Sequence, residues 1–477
     1  MATAQALPPV GRVETRTTLA FGFGAVAYGI KDNGFGTFLL LFYNQVIGLP
    51  SASVGFVIMC ALLVDAFIDP AIGVASDRTR SRWGRRHPWM YASALPIALG
   101  WLLLWNPPVL DPTMTLLWLF GAAVLVRSAV SAYEVPSQAL TPELSSDYNE
   151  RTRLTAYRYI FGWAAGLLML FAAYQLFLVP TPAQPNGLLN RDGYAAFAAT
   201  GAAIMAFAIL VSALGTHRRI AALPRPPIAA GGIGTAFREL RAAASNRAFV
   251  LLMAAGLFAY TMQGISFALS NYLYSFVWRF STATFGWLAL VLFAGVVLAF
   301  VGAPALARRI GKPRAAAWLV VSAGVFQGVP FALRLLGLFP PPESAMMVPV
   351  LFAIYIVSGA ASIGAAIVGA SMMADVVEHA EARTGTRNEG VFFAGLFFVQ
   401  KCTSGLGIFV SGAILALAGF PESATPGQVP EAVLDRLTIL FAGGYFLLSL
   451  AAGWLFLRFP FGPEEHRARI EQIASAR

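Results

Sequence analysis

Long apolar blocks set the first limit on what this chain can become. Twelve of them stand out, approximately at 18–46, 51–76, 88–108, 113–139, 154–180, 193–215, 247–277, 283–306, 315–337, 345–374, 390–419 and 433–459. Each is about as long as a helix must be to cross the hydrocarbon of a bilayer. Inside hydrocarbon the backbone has no water to bond with, so only helices or closed barrels can span it. A barrel would be written in alternating segments of about ten residues, and the sequence has none. Only 12% of the 477 residues are charged and 58% are hydrophobic, too polar-poor a balance to cover a water-soluble chain of this size. The expected fold class is an all-α, multi-pass integral membrane protein.

Charge placement gives the expected topology. Of the 33 Lys and Arg residues, 26 lie in or within five residues of the N-terminus, the C-terminus and the alternate loops that share their side. Basic residues accumulate on the cytoplasmic face of membrane proteins, which places both termini in the cytoplasm and the chain, by expectation, in a bacterial inner membrane. The formal charge of +10 is thereby explained by topology, with membrane lipids rather than nucleic acid as the surroundings. The start, "MATAQALPPVGRVETRT", lacks the pattern of a cleaved signal peptide. Cys60 and Cys402 both lie within predicted helices, which argues against a disulfide framework or a cysteine metal site.

The main internal break is the polar, Pro- and Gly-rich stretch 216–246, which leaves six predicted spans on either side. The expected organisation is a bundle at 1–215, a cytoplasmic linker at 216–246 that includes a short surface helix, a second bundle at 247–459, and a tail at 460–477. The halves echo each other. "SDRTRSRWGRR" follows the second span and "ALARRIGKPR" follows the eighth, both tight basic turns with glycine. Duplicated six-span units are typical of secondary transporters, whose sites lie near midplane. A major facilitator fold is therefore expected, as a monomer.

Ionisable residues within spans are costly and serve as site candidates. Asp32, Asp65, Asp69 and Glu134 are the acids so placed, and Lys31, Arg127 and Lys401 the bases. Asp65 and Asp69 share a helix face at i and i+4, so they require a cation, a proton or a basic neighbour between them. Arg127, Ser131, Glu134 and Gln138 form one polar stripe on the fourth span. Pro70 and Pro136 remove backbone donors beside these groups and predict local breaks. Such charges can also simply staple helices together.

Several of these residues sit in motifs that resemble a known family. "IDPAIGVASDRTRSRWGRRHPW" (68–89), "VPSQALTPELSSDYNERTRLTAYR" (135–158), "GIKDNGFG" (29–36) and "MMADVVEHAEARTGTRNEG…FFVQKCTSGLG" (372–407) are similar to the glycoside–pentoside–hexuronide:cation symporters. The resemblance runs over most of the chain and is densest in its first half. It implies that Asp65 and Asp69 belong to a cation or proton site, with Ser131 at a family cation-site threonine and Glu134 at an aspartate shared by cation and sugar. It also implies that Asp32 and Arg158 contact the solute, that Lys31 and Lys401 lie beside the site, and that Lys401 takes part in coupling.

Three positions depart from the family pattern. Ile68 stands where a cation-site asparagine is expected, Gln138 where an aromatic residue lines the sugar site, and Arg127 has no charged counterpart. Loss of an oxygen ligand at Ile68 favours H+ over Na+ as the coupling ion, although Na+ at Asp65 and Asp69 stays open. Arg127 either binds a carboxylate of the solute or neutralises Glu134. The expected function is cation-coupled symport of a sugar, glycoside or sugar acid by alternating access. Because some animal relatives of the family move lysophospholipids, a lipid solute is the alternative.

Acids among the bases at the predicted cytoplasmic mouth, Asp77, Arg78, Arg82, Glu143, Asp147 and Arg151, suggest an ion-pair gate beyond simple topology. His87, His217, His379 and His466 lack metal-ligand spacing, and no nucleophile–histidine–acid set or phosphate loop is visible. An enzyme and a resident cofactor are accordingly not expected.

Overall fold

The computed structural model describes residues 13–145, 147–182, 184–221, 234, 238, 244–384 and 389–460. The described residues fold into helices, α1 (Thr15–Phe23), α2 (Val26–Asn33), α3 (Leu39–Leu41), α4 (Ser51–Arg78), α5 (His87–Trp105), α6 (Pro112–Ala139), α7 (Thr141–Leu144), α8 (Tyr148–Ala172), α9 (Arg191–Ala221), α10 (Arg247–Tyr272), α11 (Thr282–Ile310), α12 (Lys312–Leu335), α13 (Met347–Thr384), α14 (Glu389–Ala418) and α15 (Glu431–Leu457). They divide into two compact units. One is drawn from Met1–Phe38 and Cys60–Ile233, the other from Leu39–Met59 and Gly234–Arg477. The predicted surface helix in the linker and the tail beyond residue 460 lie almost wholly outside the described residues.

Eleven helices are long and apolar enough to cross a membrane among the described residues, and the chain is a multi-pass membrane protein. The first predicted span is the exception. It forms as α1 and α2, then π-helical turns at Gly34–Phe38 and Phe42–Val46 on either side of α3. Glycines account for its close packing. A Cβ on Gly29 would lie 2.0 Å from the Gly162 carbonyl oxygen on α8, and one on Gly24 would lie 1.6 Å from the Tyr133 hydroxyl. Only a residue without a side chain permits these approaches.

Helix starts follow the sequence. Asp111 caps α6 by accepting from the Thr113 and Met114 amides at 3.0 and 3.1 Å, with Pro112 as first helical residue. Asp147 caps α8 through the Glu150 amide at 2.8 Å. The breaks expected at Pro70 and Pro136 do not occur, since α4 and α6 run through them without interruption. A proline within a long apolar helix loses one hydrogen bond, and neighbouring turns hold the rest.

In the first unit α1 and α2 pack on α8 and α9, and α5 packs between α6 and α9. Trp101 and Trp105 anchor that core, with Trp105 stacked on Tyr194 at 5.5 Å. In the second unit α12 packs on α13 and α15, and α10 on α14 and α15. The segment Leu39–Met59 is bound into this unit by polar contacts. The Gln45 side chain donates to the Pro421 carbonyl at 3.0 Å and accepts from the Ala424 amide at 2.7 Å. Tyr272 donates to the Asn44 side-chain oxygen at 2.8 Å.

The close approach at Gly29 predicts that Gly29→Leu is destabilising by at least the roughly 1–3 kcal/mol usual for overpacking. Gly121→Ala, with nothing within 4 Å of its new Cβ, should be tolerated. The yield of monodisperse protein on detergent size exclusion, with thermal midpoints, reads both outcomes.

Candidate transport site

The polar stripe of α6 becomes two clusters, both inside the first unit. Nearer the N-terminal end of α6, Arg127 donates Nε and Nη2 to Asp65 Oδ2 at 2.9 and 2.6 Å. Ser131 Oγ donates to the other oxygen, Oδ1, at 2.9 Å. The Asp65 and Arg127 side chains are 2% and 6% exposed, so the pair is almost fully withdrawn from the surface. The Arg127 guanidinium lies 5.4 Å from the centre of the Phe35 ring.

One to two turns further along α6, Glu134 Oε1 accepts from Arg158 Nη2 at 2.6 Å and from Gln138 Nε2 at 2.9 Å. Arg158 Nη1 donates to Ser137 Oγ at 2.7 Å. Ser137 donates to the Tyr133 hydroxyl at 3.3 Å, and Tyr133 donates to Ser212 Oγ at 2.9 Å. The cluster thus crosses from α6 to α8 and α9. Glu134 Oε2 is buried and takes no hydrogen bond among the described residues.

Arg127 therefore does not neutralise Glu134. Seven helical residues separate the two by about 10 Å along the axis, whereas Asp65 on α4 sits within hydrogen-bond distance of Arg127. Glu134 takes Arg158 instead. Lys31 and Asp32 lie 3.5 Å apart on α2, with the Lys31 side chain 4% exposed and that of Asp32 54% exposed. The Lys31 ammonium also lies 4.3 Å over the Tyr28 ring. Asp69 lies one turn beyond Asp65 on α4, and Lys401 lies on α14 of the second unit. Among the described residues no three of His, Cys, Asp or Glu are grouped so as to hold a metal ion.

Two acids of the predicted gate, Asp77 and Glu143, pair with arginines not singled out in the sequence. Asp77 pairs with Arg86, and Glu143 accepts from Arg85 Nε at 3.0 Å and Arg86 Nε at 3.3 Å. Arg82 instead lies over the Trp83 ring at 5.3 Å, and Arg78 is the last residue of α4. Arg151 donates to the Ser145 carbonyl at 2.8 Å, while Asp147 serves as the helix cap. All these contacts lie inside the first unit. The residues that spacing alone missed are Ser137, Tyr133, Ser212, Arg85 and Arg86. Ser137 was the most accessible of them, three residues past Glu134 on the same face.

Bundled apolar helices around a buried polar cluster are the features of a membrane transporter. Solved structures agree on the fold. The nucleoside transporter NupG superposes with a TM-score of 0.65 at 14% identity, covering 93% of this chain and all of its own. The Escherichia coli xylose transporter XylE gives 0.58 at 13% identity, covering 94% of this chain and 98% of its own. The model of the MFS/sugar transport protein family matches residues 20–462, and the chain belongs to that family. It is a transporter of the major facilitator superfamily and not an enzyme. A symporter of Synechocystis sp. is 29% identical over 91% of this chain and 92% of its own length. The isoprimeverose transporter of Lactiplantibacillus pentosus is 26% identical over 80% and 76%. A sodium-dependent lysophosphatidylcholine symporter of Danio rerio is 24% identical over 95% and 87%.

Removing one member of a buried ion pair leaves a charge uncompensated, at a cost of about 3–5 kcal/mol. Arg158→Gln should lose stability of that order, read as a lowered unfolding midpoint, and adding Glu134→Gln should recover most of it. A double-mutant cycle on the purified protein gives the coupling directly.

Proposed function

We infer that the chain is a secondary active transporter that couples a cation to symport of a small hydroxylated solute, a sugar, glycoside or sugar acid, by alternating access. The carrying observation is the pairing of Glu134 and Arg158. It sets a carboxylate with one unused buried oxygen beside a guanidinium, the donor and acceptor pair that adjacent hydroxyls require. Gln138 adds an amide to the same cluster, and Asp32 supplies a partly exposed carboxylate on α2. The isoprimeverose transporter, and a putative glycoside/cation symporter of Escherichia coli that is 23% identical over 91% of this chain, favour the same solute class.

The ion side of the site is Asp65, Asp69 and Ser131. The proton is its proposed coupling ion, because Ile68 offers no oxygen between the two aspartates and a proton needs only one carboxylate. Lys401 is assigned a coupling role on the resemblance of its motif. The protein is read as a monomer of the inner membrane with both termini cytoplasmic, and the Asp77–Glu143 cluster as part of its cytoplasmic gate.

The lysophosphatidylcholine relative supports a second reading, a lipid solute. Counterflow in proteoliposomes separates the two. Exchange of a labelled sugar or sugar acid is the expected result, and exchange of labelled lysophosphatidylcholine alone would select the lipid. Asp69→Asn should abolish concentrative uptake while exchange survives. Full concentrative uptake by that variant would remove Asp69 from the coupling step.

A further inference from the structure

The Asp65–Arg127 contact bears on which ions this protein can use. Both oxygens of Asp65 are occupied by protein donors, Oδ2 by two nitrogens of Arg127 and Oδ1 by the Ser131 hydroxyl. A guanidinium keeps its charge at any physiological pH, so this partner does not leave by deprotonation. The pair is buried, and its charges are poorly screened by salt. An alkali ion entering here would displace a bidentate donor or sit beside a fixed positive charge. It would also find an aliphatic side chain, Ile68, on the turn between the two aspartates.

We propose that Arg127 is the built-in counter-ion of Asp65, filling the place of an alkali cation and setting the ion selectivity of the transporter. The chain then binds neither Na+ nor Li+ at Asp65, Asp69 and Ser131. The inference rests on the reading of these three residues as the ion side of the site. Its consequence is specific. Shortening Arg127 leaves a buried carboxylate, a hydroxyl and a second carboxylate one turn away, all oxygen donors suited to a hard monovalent cation. A sodium site should appear where the wild type has none.

The test uses the purified full-length chain without solute, and binding of radioactive Na+ at constant ionic strength with choline as the replacing cation. The wild type should show no saturable binding. Arg127→Gln, purified in NaCl, should bind a single Na+ per chain and melt higher in NaCl than in choline chloride. Binding should disappear again in Arg127→Gln with Asp65→Asn. Arg127→Ser provides the same test with a smaller side chain, should Arg127→Gln not fold. Saturable Na+ binding by the wild type that Asp65→Asn abolishes would overturn the proposal, and so would a folded Arg127→Gln or Arg127→Ser that binds none. A failure of the sugar-transport reading would show separately, as absence of counterflow with every sugar tested, and would leave the binding result intact.

Discussion

A charge inside a bundle of apolar helices persists only when another charge meets it, and the first unit satisfies that demand twice along one face of α6. Arg127 meets Asp65 from α4, and Glu134 meets Arg158 from α8. Each pair costs desolvation of two ions, which their attraction offsets only if the remaining hydrogen-bond capacity is also used. Ser131 completes the first pair, while Gln138 and Ser137 support the second. The network then extends through Tyr133 to Ser212 on α9, tying the positions of three helices to one carboxylate–guanidinium contact. Its packing support is local. The hydroxyl of Tyr133 occupies space that a side chain on Gly24 would take, so the glycines of the first segment and the polar network depend on each other.

The two units repeat one device at corresponding places. In the first, Arg85 and Arg86 precede the third predicted span and pair with Glu143, just past the fourth. In the second, Lys312 precedes the ninth and pairs with Asp375, just past the tenth, at 2.6 and 2.8 Å. A basic turn tied to an acid one span further on holds three consecutive helices in register within each unit. The tight turn serves both, with Gly84 and Gly311 at φ 82° and 83°, where glycine alone is unstrained.

Much of this was legible in the sequence. The apolar blocks marked the helices, because hydrocarbon permits little else. The spacing of Arg127, Ser131, Glu134 and Gln138 marked a shared face, because a helix repeats every 3.6 residues. Helical spacing identifies a face but not the neighbour that it meets, so the partners of Arg127 and Glu134 were not readable. The same limit applied to Asp77 and Glu143, whose arginines lie in a turn where several bases compete. The broken first span was hidden for a different reason. Its glycines read as ordinary small residues in an apolar helix, and only the tertiary approach to Gly162 and Tyr133 shows what their missing side chains make room for.

Charge counting within the first unit links these pairings to function. Its predicted spans hold four carboxylates, Asp32, Asp65, Asp69 and Glu134, against three cations, Lys31, Arg127 and Arg158, a deficit of one positive charge. Without Arg127 the deficit would be two, a site suited to holding a cation firmly. With it, under the proposed coupling to H+, one proton would restore neutrality and its loss would restore the deficit. A transporter must release its coupling ion as well as bind it, and a shortfall of one charge in a low-dielectric bundle meets both needs. Arg127 and Arg158 hold Asp65 and Glu134, and the Lys31 ammonium lies 3.5 Å from Asp32, so each of the three cations meets a carboxylate.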